Sequence, residues 1–190
     1  MGLIIFGQSV AGELSNRAYA PTGPDTSIPI GHYQFCSEWP AECLPSGPTF
    51  SAATLTVELW EQLVVINNDL NARIAPVTDE DQYGVLERWV YPIVAGDCED
   101  YALAKRRALA DAGWPTSVLL ISVVSQLNGE GHAVLLVRTD RGDFILDNQD
   151  ADIHRWNETP YLYLKRQSQE DPARWVTISD EREVIATSAH

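Results

Sequence analysis

The sequence predicts an α+β domain in which N-terminal helices pack on an antiparallel β-sheet. Two observations support this fold class: apolar residues recur at helical spacing before residue 113, and strand-like segments follow from residue 117 onward. The chain has 190 residues, of which 45% are hydrophobic, so it can bury a core of its own. We therefore expect one domain over residues 49–190, preceded by an extended arm over residues 1–48.

The arm is predicted from composition. Residues 12–48 carry many Pro, Gly and Ser and keep no sustained hydrophobic period, which is typical of an extended segment that wraps a domain. Residues 1–11 resemble the apolar core and small-residue end of a secretory signal, although no basic residue precedes them. Two interpretations of these residues are open: a signal remnant and a disordered tail. No apolar run reaches the ~18 residues that span a bilayer, so we expect no transmembrane segment.

Three helices are expected before the sheet. The first covers residues 54–74, because its apolar residues recur at steps of three and four: Leu55, Leu59, Leu63, Ile66 and Leu70. A shorter helix is predicted from Asp79 to Tyr91, where the following proline ends it. The third has Asp97 as its N-cap and ends at Ala112, before a glycine.

Five strands are expected after the helices. They cover residues 117–124, 132–139, 143–146, 161–165 and 175–178. Arg141-Gly142 forms a tight turn between the second and third of them, so these two strands should be antiparallel neighbours. The start of one then lies beside the end of the other.

Charge and cysteine usage restrict the function classes. The net charge of −14 argues against a nucleic-acid surface and fits divalent cations or a basic partner. Cys36 and Cys43 lie seven positions apart in a Pro-rich stretch, whereas Cys98 stands alone. One disulfide plus one reactive thiol suits an oxidising compartment. Two ordinary reduced thiols are the alternative.

Cys98 lies where an acidic helix is predicted to begin. Free N–H groups and the positive end of the helix dipole stabilise a thiolate there and lower a thiol pKa that is ordinarily ~8.5. The flanking acids Asp97, Glu99 and Asp100 act in the opposite direction. Three interpretations are open: a base such as histidine activates the thiol, a cation neutralises the acids, or the motif is only a well-capped helix.

A catalytic triad is the sharper hypothesis. His132 opens one strand of the predicted hairpin and Asp147 closes the other, so the two become neighbours. Cys98 would attack a carbonyl, His132 would take and return the proton, and Asp147 would fix the imidazole tautomer. Each residue alone also has an ordinary structural explanation in packing or in a turn. The backbone N–H of Cys98 is one expected oxyanion donor, and the sequence nominates no second donor.

Three blocks of the sequence resemble a known family. They are Gly96-Asp97-Cys98-Glu99-Asp100-Tyr101-Ala102-Leu103-Ala104-Lys105, Gly131-His132-Ala133-Val134-Leu135 and Leu146-Asp147-Asn148. Together they are similar to the signature blocks of the bacterial transglutaminase-like cysteine proteinases, a family that includes the LapG-like periplasmic proteases. The resemblance covers roughly residues 50 to 165.

This resemblance implies a papain-like or transglutaminase-like fold and proteolysis rather than cross-linking. It also implies catalytic roles for Cys98, His132 and Asp147. Two alternatives remain beside the cysteine endopeptidase. One is an acyltransferase or transglutaminase on the same scaffold, and the other is a noncatalytic calcium-dependent binding module.

The resemblance further implies calcium at the acids beside the cysteine, namely Asp97, Glu99 and Asp100, and a periplasmic or secreted location. Calcium takes six to eight oxygen ligands, and clustered carboxylates supply several of them. The LapG-type members of the family cleave large surface adhesins, which loosens biofilm, and an inhibitory membrane receptor sequesters them. The N-terminal arm lies outside the three blocks. The resemblance therefore implies the catalytic residues of this chain but does not identify its protein substrate or its receptor.

Overall fold

The computed structural model describes residues 18–181, so the predicted signal remnant over residues 1–11 lies outside the described residues. Four α-helices occur in that range: α1 Ile30–Glu38, α2 Val57–Arg73, α3 Asp79–Tyr83 and α4 Cys98–Asp111. Short 3₁₀ turns lie at Pro40–Cys43, Thr116–Val118 and Trp156–Glu158. In this part of the chain no helix is long and apolar enough to cross a bilayer.

A seven-stranded antiparallel sheet forms the centre of the described fold. Its strands are β1 Thr22–Thr26, β4 Leu119–Ser125, β5 Gly131–Thr139, β6 Gly142–Leu146, β7 His154–Arg155, β8 Leu162–Gln167 and β9 Trp175–Ile178. They are ordered β1-β9-β8-β4-β5-β6-β7. Two further short strands, β2 Ala75–Pro76 and β3 Ala95–Gly96, pair in parallel. The predicted α+β class with an antiparallel sheet is confirmed.

The sheet buries apolar side chains on both faces. On the helical side, Leu63 of α2 and Leu109 of α4 pack into the same core as Leu135 of β5, and all three are fully buried. A smaller cluster on the other face includes Leu136 and Tyr163. Since removing apolar surface from water stabilises by about 25 cal/mol per Å², the first of these clusters fixes α2 and α4 on the sheet.

Helix α2 begins two residues later than the apolar period starts, because Thr56 caps it. The Thr56 Oγ1 accepts the N–H of Leu59 at 3.2 Å. Such a cap satisfies one of the N–H groups that a helix start leaves free. The buried face of α2 then carries Leu63 and Asn67, both at 0% exposure.

Helix α3 is shorter than predicted and ends at Tyr83 instead of Tyr91. Gly84 adopts a left-handed conformation, with φ of 71°, and its N–H bonds to the Glu80 carbonyl. Glycine accepts this conformation without strain, so it ends the helix before the proline does. Leu86, inside the predicted helix, lies after its observed end and is 86% exposed.

The segment predicted as an extended arm contains regular structure from residue 22 onward. β1 pairs with β9 at the sheet edge, and residues 30–38 form α1 instead of extended chain. Helix α1 gave no apolar stripe because the residues that it buries are Gly31, His32 and Phe35. The predicted disulfide between Cys36 and Cys43 is present and ties α1 to the following turn. The domain boundary at residue 49 stays a prediction.

Candidate active site

The pairing of β5 with β6 places a histidine beside an aspartate. The register ends where Leu135 faces Leu146, so β5 extends beyond the end of β6 by residues 131–134. Asp147 follows β6 directly and therefore meets this extension. As predicted from the hairpin, His132 and Asp147 are neighbours, with 2.8 Å between His132 Nε2 and Asp147 Oδ1.

Asp147 is held by three donors in a buried position. Besides His132, the Tyr161 hydroxyl donates to Asp147 Oδ2 at 2.5 Å, and the Gln149 N–H donates to Asp147 Oδ1 at 3.0 Å. Burial alone raises the pKa of Asp147, but the hydrogen bond and charge of His132, together with the other donors, bring this pKa below its usual value. Asp147 is therefore an ionised carboxylate at neutral pH. It is suited to accept a hydrogen bond from the N–H at His132 Nε2.

The other imidazole nitrogen is free of the carboxylate. With Nε2 turned to Asp147, Nδ1 is the atom that can exchange a proton with a thiol. The amide Nε2 of Gln149, an exposed residue, lies 3.4 Å from His132 Nδ1. The histidine itself is 3% exposed, and its ring is held between Asp147 and Gln149.

Cys98 is the first residue of α4 and lies against the same edge of β5. The backbone N–H of Ala133, the residue after His132, donates to the Cys98 Sγ. Because β6 has already ended at this level, this strand edge is open to the helix start. The structure thus brings the predicted residues Cys98, His132 and Asp147 to one end of the β5–β6 hairpin.

The surroundings of Cys98 oppose thiolate formation. Burial contributes most to raising the pKa of this thiol, and the charge of Glu99 adds to it. The thiol also donates to Glu99 Oε2 at 3.1 Å, which favours its protonated form. The Ala133 N–H acts in the opposite direction and is outweighed. A base or a cation is needed to make this thiol a nucleophile.

Asp97 occupies the predicted N-cap position of α4 but does not cap with its side chain. Its Oδ2 instead accepts the backbone N–H of Asp79 at 3.1 Å, which joins the starts of α3 and α4. Its Oδ1 is buried and has no hydrogen-bond partner among residues 18–181. An unpaired buried carboxylate oxygen is costly, and this one lies among other acids.

Those acids form a compact group. Asp79, Asp97 and Glu99 each bring one carboxylate oxygen within 4.8 Å of the others. Burial raises the pKa of Asp79 and of Glu99, and the charge of Asp97 raises both further. A set of hard oxygen donors with excess negative charge is the kind that binds Ca²⁺ or Mg²⁺. Sequence reasoning missed Asp79, which was interpreted as a helix start.

Asp100, the third predicted calcium ligand, lies outside this group of three. It is fully buried, and its Oδ1 accepts the Val90 N–H at 2.8 Å. Burial is the main reason that the pKa of Asp100 rises to about 7. Its contact with the backbone before α4 explains the burial in structural terms, and a role as metal ligand stays a prediction.

Gly96→Ala is expected to destabilise the fold by about 1–3 kcal/mol, the usual cost of overpacking. A Cβ at residue 96 would lie 2.5 Å from Oδ2 and 2.8 Å from Cβ of Asp100, which is buried and cannot move freely. The control is Gly131→Ala, where a Cβ meets no atom within 4 Å. Urea denaturation measures both, and equal stability of the two variants would contradict the expected clash.

The chain matches one protein family and is similar in fold to several solved structures. The family model described as bacterial transglutaminase-like cysteine proteinase matches residues 22–183. A search of curated proteins gave no match. Among solved structures, calcium-bound LapG of Legionella pneumophila is similar at 23% identity and a TM-score of 0.55, covering 69% of this chain and 75% of that one.

Two other structures of Legionella pneumophila LapG are also similar, both at 24% identity. The first has a TM-score of 0.50 and covers 62% of this chain and 68% of that one. The second, treated with EGTA, has a TM-score of 0.52 and covers 64% and 67%. At these identities the likeness establishes a shared transglutaminase-like fold.

Proposed function

The chain belongs to the bacterial transglutaminase-like cysteine proteinase family, a family of cysteine peptidases, and on this premise we propose that Cys98, His132 and Asp147 are its catalytic triad. The observation that carries the proposal is the 2.8 Å hydrogen bond between His132 and Asp147, at the strand edge that also contacts Cys98. The substrate is a protein, as for any peptidase.

The proposed reaction begins with transfer of the Cys98 thiol proton to His132 Nδ1. The Sγ then attacks the carbonyl carbon of the scissile peptide bond, and the Asp147 carboxylate stabilises the imidazolium. His132 returns the proton to the departing amine, which leaves a thioester on Cys98. His132 then deprotonates a water, which attacks the thioester carbonyl; the C–S bond breaks, the carboxylic acid product leaves, and His132 returns the proton to the Cys98 sulfur. The backbone N–H of Cys98, at the start of α4, supplies one oxyanion donor.

We further propose that Asp79, Asp97 and Glu99 hold a calcium ion, with Asp100 beside them. The fit rests on their donor chemistry and on the Asp97 Oδ1, which is buried with no partner within the described range. One of the similar LapG structures is a calcium-bound form. When bound, calcium would neutralise the acids that raise the pKa of the Cys98 thiol.

Asp79→Asn is expected to weaken calcium binding at least about tenfold, because it removes one of three charged ligands. In the unmodified protein, calcium at about 100 times its Kd should add about 2.7 kcal/mol of stability and raise Tm. The matched control is Asp81→Asn, two residues further along α3 and exposed. Calorimetry and thermal melts with and without EGTA measure both; absence of binding heat in the unmodified protein would end the calcium proposal.

We also propose a periplasmic or secreted location and a surface adhesin as substrate, under control of an inhibitory receptor. The supporting feature in this chain is the Cys36–Cys43 disulfide, which persists in oxidising compartments. The proposals of an adhesin substrate and of an inhibitory receptor rest on the family resemblance alone.

The proposed function is tested by incubating the protein and its His132→Ala variant with cell-surface proteins in calcium. We expect new protein N-termini with the unmodified protein and none with the variant. Added primary amine separates hydrolysis from acyl transfer, since a transferase would attach the amine to the product. Capture of surface proteins without any cleavage would instead favour the noncatalytic binding module.

A further inference from the structure

The strand that carries His132 has an unpaired edge at the proposed active site. β5 pairs with β4 from residue 131 onward, but with β6 only from residue 135 onward. Residues 131–134 therefore have a neighbouring strand on one side only. An edge of this kind presents N–H and C=O groups with which another chain can pair.

Three backbone hydrogen bonds show which way the groups of β5 point. On the β4 side, the Glu130 carbonyl accepts the Gln126 N–H at 2.9 Å. Also on the side away from β6, the Arg138 carbonyl accepts the Ala53 N–H at 3.0 Å, and the Asp140 N–H donates to the Ala53 carbonyl at 2.8 Å. Since the groups of successive residues in a strand point to opposite sides, the even-numbered residues face β4 and the odd-numbered residues face β6.

This alternation leaves Gly131 with a free donor and a free acceptor. The registers of β5 with β4 and β6 are unbroken, so the N–H and C=O of Gly131 point to the β6 side, beyond the end of β6. No described residue outside the sheet bonds to either group. Gly131 is exposed, and a Cβ there would meet no atom within 4 Å, so a second chain has room beside it.

The same edge leads to the proposed nucleophile. The Ala133 N–H, which points to the same side as the groups of Gly131, donates to the Cys98 Sγ. Gly131 precedes Ala133 by two residues, a distance of about 7 Å at about 3.4 Å per residue. A peptide paired with Gly131 and running along this edge therefore passes Cys98 within about two residues of the paired position.

We infer that the protein substrate binds as an added β-strand: its main chain forms a pair of hydrogen bonds with the N–H and C=O of Gly131, which brings the scissile carbonyl to Cys98. Strand addition takes its affinity from main-chain bonds and not from particular side chains, so this subsite selects extended protein segments. The inference rests on the proposed function and states how the substrate is held at that site.

The first test replaces Gly131 by proline, which has no N–H and obstructs pairing at the edge. Proline is tolerated at the first residue of a strand when the N–H that it removes faces no partner, so the fold and Tm should be retained. The conservative variant Gly131→Ala keeps the N–H. We expect kcat/KM for a peptide substrate to fall at least about tenfold further in Gly131→Pro than in Gly131→Ala.

The second test changes the substrate. Synthetic peptides that span a cleavage site found with cell-surface proteins are N-methylated at one residue at a time, leaving the scissile amide intact. At one position within about two residues of the scissile bond, N-methylation should lower kcat/KM at least about tenfold, because it removes a main-chain donor. This loss should not add to that of Gly131→Pro, since both changes break the same pairing.

Alkylation of Cys98 by iodoacetamide, measured in calcium, separates substrate pairing from the reacting residues. This small reagent needs no strand pairing, so Gly131→Pro should cleave slowly and still alkylate at the unmodified rate. A fall in alkylation as large as the fall in cleavage would mean that the substitution disturbs the reacting residues, and the inference would be wrong.

Two further results overturn the inference and leave the proposed function standing. One is a folded Gly131→Pro protein that cleaves the peptide as fast as Gly131→Ala. The other, which applies even if Gly131→Pro fails to fold, is a set of N-methylated peptides that are all cleaved at the unmodified rate. An unmodified protein whose Cys98 neither cleaves nor alkylates overturns the proposed function, and the inference with it.

Discussion

Replacing Cys98 by alanine is expected to lower kcat/KM by about 10³-fold or more, to the background of the assay, because it removes the proposed nucleophile. The fold should survive this change. The thiol contacts Glu99 and the Ala133 N–H, and neither contact is part of the core that holds α4 on the sheet. Loss of activity with an unchanged melting curve is therefore the expected pair of results.

The measurement is hydrolysis of a protein substrate together with circular dichroism and Tm. Cys98→Ser serves as the matched variant, since it keeps the shape of the side chain and replaces sulfur by a hydroxyl that ionises far less readily. We expect it to be nearly as inactive as Cys98→Ala. Full activity of either variant would mean that another group attacks the peptide bond.

Asp147→Asn is expected to lower kcat by about 10²–10⁴-fold with little change in KM. Asparagine keeps the shape of the side chain but removes the charge that stabilises the His132 imidazolium as it forms. The Tyr161 hydroxyl and the Gln149 N–H, which donate to the Asp147 carboxylate, cannot supply that charge. The loss should therefore fall on the chemical step.

Steady-state kinetics measures this change, with Asp150→Asn as control because Asp150 is an exposed acid in the same loop. The pH dependence carries a further expectation. Since the pKa of Asp147 lies below its usual value, the carboxylate stays ionised above that lowered pKa, and its contribution is lost only as pH falls through it. Activity near pH 5–6 should thus not be limited by Asp147. An Asp147→Asn enzyme with unmodified kcat would argue against the triad.

The sequence could predict that part of the site that depends on a single hairpin, namely the closeness of His132 and Asp147. The turn lies one residue earlier than predicted, at Asp140-Arg141, because Gly142, at a φ of 116°, is already the first residue of β6 and pairs with Thr139. This turn sets the register of β5 and β6 and so makes His132 and Asp147 neighbours. Long strands with clear apolar patterns, such as β4 and β5, were predicted to within a residue or two. Their periodicity is a local property and can be detected in one sequence.

The parts that could not be predicted depend on contacts between distant segments. Asp79 reaches Asp97 because β2 and β3 pair in parallel, with Ala75 opposite Ala95. A two-residue strand is too short to show an alternating hydrophobic pattern, so the sequence gives no local signal of this pairing. Helix α1 was missed for a related reason: His32 is buried between Trp89 and Trp175, and a buried histidine looks polar in a sequence.

The β5–β6 register makes the active site sensitive to a turn far from it. His132 lies seven residues along β5 from Thr139, which pairs with Gly142 at the turn, a separation of roughly 23 Å at about 3.3 Å per residue. A slip of one residue in the pairing turns every side chain of a strand to its opposite face. One residue inserted between Thr139 and Gly142 therefore changes which strand face meets Asp147. Loop-length variation at this remote corner is a means of switching catalysis off while the sheet persists.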